Sequence, residues 1–320
     1  LAGDWVRDAA TRDDPWVLFV SFVTPHYPLI APDEFFDLYP IDKMPMQKLD
    51  HHTDYVHHPW MANFVRVNAR GDATDAQHRT ALAAYLGLCS FMDAMVGQVL
   101  GALEDSGAAP NTRVLYTSDH GDNAGARGFW GKSNHYEEAS GVPLIVAGAD
   151  IPEGKTSHTP ATLVDFFPTI VDAAGAANET SSDLPGTSLI DLANAADDPA
   201  RIAFSEYHAA NSPSGSFMIR KGKYKYIHYV GFESELFDLE ADREEVTNLA
   251  GNADYRDTVR EYDAMLRNIV DPEDVDRRAN AAQKALVEAA GGPDAVMANL
   301  VTTIHYTPVP DDIDAELRKG

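Results

Sequence analysis

The hydrophobic positions in the first 200 residues alternate between strand-like and helix-like periods. The apolar run Val17–Val23, inside PWVLFVSFVTP, predicts a strand that is covered on both faces. Residues 76–103 repeat apolar positions every three or four residues, which predicts a long amphipathic helix. VLYT at 114–117 and GVPLIVAG at 141–148 predict two more strands, and a further helical pattern ends at Gly175. This alternation indicates an α/β fold with a mostly parallel central sheet sandwiched by helices.

The pattern changes near residue 200. Three short apolar stretches, RIAFSEYH, SFMIRKGKYKYIHYV and ELFDLEAD, predict a small antiparallel sheet, and helical patterns follow. Lys alternates with Tyr in the second stretch, so one face of that strand is expected in the core and the other in solvent. We therefore predict two domains: residues 1–200 as a larger α/β domain, and residues 201–320 as a small C-terminal subdomain with an antiparallel sheet and a helical tail.

Composition and charge reduce the classes of binding partner to be considered. The chain has 320 residues, of which 44% are hydrophobic, and a formal net charge of −25. That charge argues against nucleic acid and against anionic membrane surfaces, since both are bound by clustered Lys and Arg. The apolar runs are shorter than the roughly 20 residues that cross a bilayer. An anionic substrate would need a local positive charge to overcome this field, and a bound cation would supply one.

Two predicted strands end in ionisable residues. His26 follows the first strand, and YTSDHGDN places Asp119 and His120 directly after the strand at 114–117. Ligands in open α/β sheets bind beyond such strand ends. A carboxylate beside an imidazole suits Mn²⁺, Mg²⁺ or Zn²⁺, with calcium less usual for His. Taken alone, SDHG is also typical of an ordinary turn, and Lys132, in GFWGKSNHYEE, is either an anion ligand or a solvated surface side chain.

Two other residues are candidates for binding an organic group. Trp60 could form a wall of a pocket, and His208, in SEYHAANSPSG, could reach the cleft from the small subdomain. The four histidines of HHTDYVHH invite a zinc interpretation, but no Cys or strong acidic pattern accompanies them, so an exposed loop is preferred.

Several long stretches, in the same order, resemble the type I sulfatases of the alkaline phosphatase superfamily. They are PWVLFVSFVTPHYPLIAPDEFFDLYP, YTSDHGDNAGARGFWGKSNHYEEASGVPLIVAG, LVDFFPTIVDAAG and ELFDLEADREEVTNLAG. The tail DPEDVDRRANAAQ further resembles the choline-sulfatase-like branch. The resemblance implies an alkaline phosphatase-like fold and residues 1–200 as the C-terminal part of a catalytic domain.

The resemblance also implies roles for individual residues. Asp119 and His120 would bind a divalent metal ion, with Ca²⁺ favoured by the family and Mn²⁺ or Mg²⁺ as alternatives. Lys132 would hold the sulfate oxygens, and His26 would donate a proton or hydrogen bond to the leaving oxygen. The implied function is hydrolysis of a sulfate monoester of a small molecule or sugar. A phosphonate or phosphate ester hydrolase and a non-catalytic protein that binds sulfated ligands are the alternatives, and an oligomer is left open.

The family nucleophile, a formylglycine made from Cys or Ser in a motif of the type Cys-x-Pro-x-Arg, is not found in the sequence. The single cysteine, Cys89, lies in the long predicted helix without that Pro or Arg, and is expected in the core. We therefore expect the chain to be the C-terminal portion of a sulfatase, with the formylglycine upstream, and to be inactive alone.

Overall fold

The structure is a computed structural model and divides into two units. The residues that it describes are 1–49, 55–68, 73–176, 184–209 and 212–303. The first unit contains residues 1–20, 47–72 and 96–273, and the second contains residues 21–46, 73–95 and 274–320. The division of the chain at residue 200 stays a prediction.

The regular elements follow in chain order. The α-helices are α1 (Ala2–Ala9), α2 (Asp33–Phe36), α3 (Pro59–Asn68), α4 (Asp75–Asp105), α5 (Glu137–Ser140), α6 (Phe166–Ala173), α7 (Leu189–Asn194), α8 (Arg256–Ile269), α9 (Pro272–Ala289) and α10 (Pro293–Thr303). The strands are β1 (Arg113–Thr117), β2 (Leu144–Gly148), β3 (Ile202–Tyr207), β4 (Ser216–Lys221), β5 (Tyr224–Tyr229) and β6 (Glu235–Asp238). Short 3₁₀ turns cover Ile41–Lys43, Ala109–Asn111, Ala126–Gly128, Leu163–Asp165 and Ala253–Tyr255.

A four-stranded antiparallel sheet of order β3-β4-β5-β6 contributes the main core of the first unit. Its tightest connection is the two-residue turn between Lys221 and Tyr224, where Gly222 adopts a positive φ of 54°. The sheet confirms the predicted C-terminal antiparallel sheet. Its side chains join a buried aromatic and aliphatic cluster: Trp60, Met61, Phe129, Tyr136, Met218, Ile227, Tyr229, Phe237 and Leu239.

The predicted strands at 114–117 and 141–148 form β1 and β2, which pair antiparallel with Leu115 opposite Val146. The prediction of a mostly parallel central sheet is therefore not confirmed in the described part of the chain. Parallel neighbours need a crossover connection, usually a helix, whereas antiparallel strands accept any loop. Residues 118–143, which join β1 to β2, contain only the single turn of α5 and the 3₁₀ turn Ala126–Gly128.

The apolar run 17–23 was predicted to be a buried strand, and this prediction is wrong for the structure described. Its residues have no strand assignment, and Val17 and Phe19 are 61% and 87% exposed. A β-strand exists only through hydrogen bonds to a neighbouring strand. Among the described residues none pairs with this run, so apolar composition alone does not make it a strand.

Helix α4 contributes residues to both units and agrees with the predicted helix at 76–103. Thr74 and Gln77 form a reciprocal cap at its N-terminus: the Gln77 amide donates to Thr74 Oγ1, and the Thr74 amide donates to Gln77 Oε1. Gly107, with φ of 74°, follows the helix at its other end. By length and composition α4 would also suffice to cross a membrane, a test that core helices of globular proteins meet as well.

The predicted helix that ends at Gly175 corresponds to Leu163–Asp165 followed by α6. Thr162 and Asp165 form a capping box at its start. Gly175 has φ of 71° and donates its amide to the Asp172 carbonyl oxygen, while the Ala176 amide reaches the Val171 carbonyl oxygen. The left-handed glycine therefore terminates the helix, as the sequence predicts.

Candidate functional site

Asp119 and His120 lie in the turn that follows β1, and their side chains converge. Asp119 Oδ2 is 3.3 Å from His120 Nε2. The other carboxylate oxygen, Oδ1, accepts a hydrogen bond from the His120 amide at 3.0 Å. His120 Nδ1 is 2.8 Å from the Gly121 carbonyl oxygen, a contact in which Nδ1–H is the donor. In the neutral ring this hydrogen bond leaves the lone pair on Nε2, the nitrogen beside the carboxylate oxygen.

The side chains of Asp119 and His120 together have the chemistry of a partial metal site. A carboxylate oxygen and an imidazole nitrogen with its other nitrogen hydrogen-bonded are typical ligands of divalent cations. The Asp119 side chain is 81% exposed, so its oxygens are accessible. No group of three or more His, Cys, Asp and Glu side chains in the described ranges is arranged to hold a metal ion. Asp119 and His120 thus offer one oxygen and one nitrogen ligand of types that a divalent cation accepts, and their metal role stays a prediction.

Gly121 begins a loop that closes on itself at α5. The Gly121 amide donates to the Ala139 carbonyl oxygen at 2.8 Å. A Cβ atom at residue 121 would lie 2.0 Å from the Glu138 carbonyl oxygen, much closer than any carbon can approach. Only glycine permits this contact. Residues 121–139 thus form a closed loop whose two ends meet beside the Asp119–His120 turn.

Lys132 is one of the residues that form this closed loop, and it is partly buried. The residue before it, Gly131, is held by the start of the loop. Its amide donates to Asp122 Oδ1 at 3.1 Å, and its carbonyl oxygen accepts from both the amide and the Nδ2 group of Asn123, at 2.7 and 2.6 Å. Asp122 and Asn123 were not predicted as site residues, although both directly follow SDHG in the sequence.

Arg127 anchors the middle of the loop through a buried ion pair. Its guanidinium is 1% exposed, donates to Glu138 Oε2 at 2.7 Å and lies 4.0 Å from the centre of the Tyr136 ring. Burial, the largest single effect, lowers the pKa of Arg127, but Glu138, Tyr55, Tyr136 and Glu245 together outweigh it and the net direction is upward. Burial likewise acts to raise the pKa of Glu138, but Arg127, Lys48 and a backbone hydrogen bond together outweigh it, so the net direction is downward. Both side chains are therefore charged.

A buried lysine joins the same loop to the four-stranded sheet. Lys225, on β5, has a fully buried side chain and donates to the His135 carbonyl oxygen at 2.9 Å. Its ammonium is 2.8 Å from Glu245 Oε1 and also pairs with Glu137. The prediction that one face of this strand is solvated is wrong at Lys225, because paired carboxylates satisfy the charge within the protein.

Glu235, at the start of β6, is the second buried link. Tyr136 donates its hydroxyl to Glu235 Oε1 at 3.2 Å, and Tyr229 donates to Oε2 at 2.8 Å. Burial raises the pKa of Glu235 to about 7, against the opposing effect of these two hydrogen bonds. His135, next to Tyr136, is also buried, and burial lowers its pKa to about 4. The end of the loop is thus attached to the sheet through hydrogen bonds rather than through apolar contacts alone.

His26 belongs to the second unit, whereas Asp119, His120 and Lys132 belong to the first. Its Nδ1 is 2.8 Å from the Tyr27 carbonyl oxygen, and its ring lies 4.1 Å from the Tyr27 ring. The peptide bonds before Pro25 and Pro28 are both cis. The role predicted for His26 stays a prediction.

The two residues predicted to bind an organic group are placed differently. Trp60 is fully buried, with its indole N–H donating to the Ser214 carbonyl oxygen at 3.1 Å and its ring 5.1 Å from that of Tyr229. That burial assigns Trp60 to the core and argues against a pocket wall. His208 is partly buried after β3, with its ring 6.0 Å from the Phe217 ring. Its substrate role stays a prediction.

The histidine-rich stretch is only partly described, since His51 and His52 lie outside the described residues. The other two bind backbone rather than each other. His57 Nε2 is 2.7 Å from the Arg127 carbonyl oxygen, and His58 Nε2 is 2.9 Å from the Glu233 carbonyl oxygen. Cys89 lies within α4 and is partly buried.

Comparison with known proteins supplies two family matches. The sulfatase family profile matches residues 2–176, and the profile described as N-sulphoglucosamine sulphohydrolase, C-terminal, matches residues 125–271. The two matched regions overlap over residues 125–176, which include all of the closed loop except its first four residues.

Two curated relatives share 35% identity with the chain. One is an arylsulfatase K of Danio rerio, aligned over 69% of this chain and 43% of its own length. The other is a choline-sulfatase of Rhizobium meliloti (strain 1021), aligned over 74% of this chain and 47% of its own length. The chain thus spans about half the length of the curated relatives it matches.

Solved structures give the same fold. A phosphonate monoester hydrolase from Silicibacter pomeroyi superimposes with a TM-score of 0.71 at 25% identity, covering 83% of this chain and 59% of that one. A second structure, solved in complex with its substrate D-glucosamine-2-N,6-O-disulfate, gives a TM-score of 0.57 at 32% identity, covering 65% of this chain and 44% of that one. The fold is therefore alkaline phosphatase-like.

Proposed function

The chain belongs to the sulfatase family, and from that premise we propose that it serves in the hydrolysis of a sulfuric ester. One observation carries the proposal. Asp119 Oδ2 and His120 Nε2 lie 3.3 Å apart after β1, at the start of a closed loop that also contains Lys132. The two ligand atoms and the lysine thus belong to one connected segment, which supports a shared site for a divalent cation and an anion.

Asp119 and His120 would hold the cation, with Ca²⁺ favoured and Mn²⁺ or Mg²⁺ as alternatives. When bound, such a cation stabilises negative charge on the sulfuryl oxygens. Lys132 would bind those oxygens with its ammonium group, which orients the sulfur for attack and offsets charge in the transition state. The formylglycine nucleophile of the family has no matching motif in residues 1–320, and its source stays a prediction.

His26 would supply the proton that the departing ester oxygen takes up. Because its Nδ1–H is used by the Tyr27 carbonyl oxygen, proton donation would occur from Nε2 of the protonated ring. The leaving group would be the alcohol of a small molecule or a sugar. The likeness to a choline-sulfatase and to a protein bound to a disulfated glucosamine supports this substrate class.

A second candidate is the hydrolysis of a phosphonate monoester. The likeness to a phosphonate monoester hydrolase of the same fold favours it, because phosphonates and sulfates present similar tetrahedral oxygens. Sequence similarity weighs against it, since the arylsulfatase K and the choline-sulfatase that are 35% identical to the chain are both sulfatases.

The test is a comparison of two chromogenic esters that share one leaving group, an aryl sulfate and an aryl phosphonate monoester. We expect the full-length protein, with the formylglycine expected upstream and supplied with Ca²⁺, Mn²⁺ or Mg²⁺, to hydrolyse the sulfate faster. Asp119→Asn and Lys132→Ala should each lower kcat/KM at least about 100-fold, as the removal of a transition-state contact does. Faster phosphonate hydrolysis would support the second candidate. Binding of sulfate esters without any cation-dependent turnover would support a non-catalytic protein.

A further inference from the structure

We infer that Asn123 is a positioning residue for Lys132: its side-chain amide holds the lysine in register with the Asp119–His120 turn. The inference rests on the proposed function, because it takes Lys132 as the group that binds sulfate oxygens. Asn123 lies three residues after His120 and nine residues before Lys132 in the chain. It would act on the reaction only through the lysine.

The contacts of Asn123 bracket Lys132 on both sides. Toward the preceding residue, Asn123 Nδ2 donates to the Gly131 carbonyl oxygen at 2.6 Å, and the Asn123 backbone amide donates to the same oxygen at 2.7 Å. Toward the following side, Asn123 Oδ1 accepts from Asn134 Nδ2 at 3.3 Å. One side chain therefore fixes the backbone before the lysine and a side chain two residues after it.

Few residue types besides asparagine can make the contacts that position 123 requires. The position needs a donor and an acceptor on one short planar group, and Asn123 is only 3% exposed, so water cannot replace either partner. An aspartate has nearly the same shape but no donor. It would place a carboxylate oxygen against the Gly131 carbonyl oxygen and would keep only the acceptor facing Asn134. Asn123→Asp therefore removes the side-chain hydrogen bond to Gly131 with little change in volume, and it leaves the backbone hydrogen bond to the same oxygen in place.

The backbone around Lys132 shows why such a tie matters. Gly131 has φ of 95° and Ser133 has φ of 82°, so the lysine lies between two residues in the left-handed region. Glycine populates positive and negative φ with similar ease, and a serine rarely adopts positive φ. Without contacts that hold them, these residues would favour other conformations, and the lysine would point elsewhere. Asn123, with Asp122 on the Gly131 amide, supplies those contacts.

Asn123 differs in this respect from the buried residues that anchor the loop. Arg127 donates to the Tyr55 hydroxyl and the Glu244 carbonyl oxygen outside the loop, and Lys225 and Glu235 bind it to the sheet, so losing any of them would affect the whole region. The side-chain hydrogen bonds of Asn123 stay within the loop and end on Gly131 and Asn134. Its loss should therefore change the site more than the stability.

The experiment is a double-mutant cycle with inorganic sulfate as the probe. The inhibition constant of sulfate is measured in the full-length protein, with the formylglycine expected upstream, for the unaltered form, Asn123→Asp, Lys132→Ala and the double variant. We expect Asn123→Asp to weaken sulfate inhibition about tenfold and Lys132→Ala to weaken it further. In the Lys132→Ala background, Asn123→Asp should add less than about twofold, because a residue that acts through the lysine has nothing left to position.

A matched control separates positioning from a general effect of the substitution. Asn248 also uses its amide on both sides, donating to the Ser234 carbonyl oxygen and accepting from the Leu236 amide, but far along the chain from the loop. Asn248→Asp should leave the sulfate inhibition constant unchanged. Acetylation of Lys132, followed by mass spectrometry of the folded protein, gives a readout that needs no turnover. Asn123→Asp should change the rate at Lys132 and leave that at Lys155 unaltered.

Two outcomes overturn the inference, and they differ in whether the role of Lys132 in the proposed function fails as well. If Asn123→Asp weakens sulfate inhibition equally with and without Lys132, Asn123 does not act through the lysine, and the proposed function stands. If Lys132→Ala leaves sulfate inhibition intact, the role of the lysine in the proposed function fails together with the inference. Should Asn123→Asp unfold, the smaller Asn123→Ser enters the same cycle and is judged by the same two criteria.

Discussion

The two sheets of the molecule have similar apolar sequences but very different environments. In the four-stranded sheet, Phe217, Ile219, Ile227 and Leu236 are each fully buried. In the two-stranded sheet, Leu144 and Ile145 of β2 are 37% and 57% exposed. β-propensity therefore does not distinguish the sheets, whereas packing does. The stability of the first unit should lie mainly in the four-stranded sheet, while the proposed chemistry lies at the end of β1.

The closed loop at 121–139 connects the two sheets. It leaves β1 with the Asp119–His120 turn, and its last part is tied to β4, β5 and β6 through His135, Tyr136 and Glu137. The loop that begins at the end of the exposed strand β1 is thus held by its contacts with the buried four-stranded sheet. This arrangement agrees with the general rule that functional groups lie on loops that a stable scaffold positions.

The largest effect should come from the core of the four-stranded sheet. Leu236→Ala removes a side chain that is fully buried in β6, and we expect it to lower the free energy of unfolding by about 3 kcal/mol. Urea unfolding followed by circular dichroism measures the change. A loss below about 1 kcal/mol would mean that this sheet does not dominate the stability, and the comparison between the sheets would fail.

The next effect concerns the pH dependence of the link between loop and sheet. The pKa of Glu235 is raised from 4.5 to about 7, so between these values the folded protein keeps a proton that the unfolded chain loses. Its contribution to stability is complete below about pH 4.5 and falls as pH rises to about 7, by at most about 3 kcal/mol. Glu235→Gln removes this fall while retaining an oxygen that accepts from Tyr136 and Tyr229.

His135 acts in the opposite direction and must be separated from Glu235. Its pKa is lowered to about 4, so its contribution is complete above about pH 6.5 and is lost as pH falls toward 4. The two effects partly cancel in the unaltered protein. In Glu235→Gln, unfolding free energies measured from about pH 4.5 to about pH 7 should therefore rise more steeply with pH than in the unaltered protein. Identical slopes would show that Glu235 titrates normally.

The sequence predicts most of the local structure, while the roles of the predicted site residues stay predictions. It places α4, the C-terminal end of α6 and the C-terminal strands correctly, because those features depend on local periodicity, caps and glycines. It fails at 17–23, where strand formation depends on a neighbour rather than on the run itself. It also does not find Asn123, Arg127, Lys225 or Glu235, since their importance comes from partners that are distant in the chain or across a loop.

The smallest effect should come from the exposed sheet, and it sharpens the comparison most. Ile145→Ala makes a similar deletion to Leu236→Ala, but at a side chain that is 57% exposed in β2. Because little apolar surface is withdrawn from water there, we expect a loss below about 1 kcal/mol in the same urea experiment. A loss close to that of Leu236→Ala would show that β2 is covered in solution by another polypeptide surface. The exposure of β2, on which the contrast between the sheets rests, would then not hold for the protein in solution.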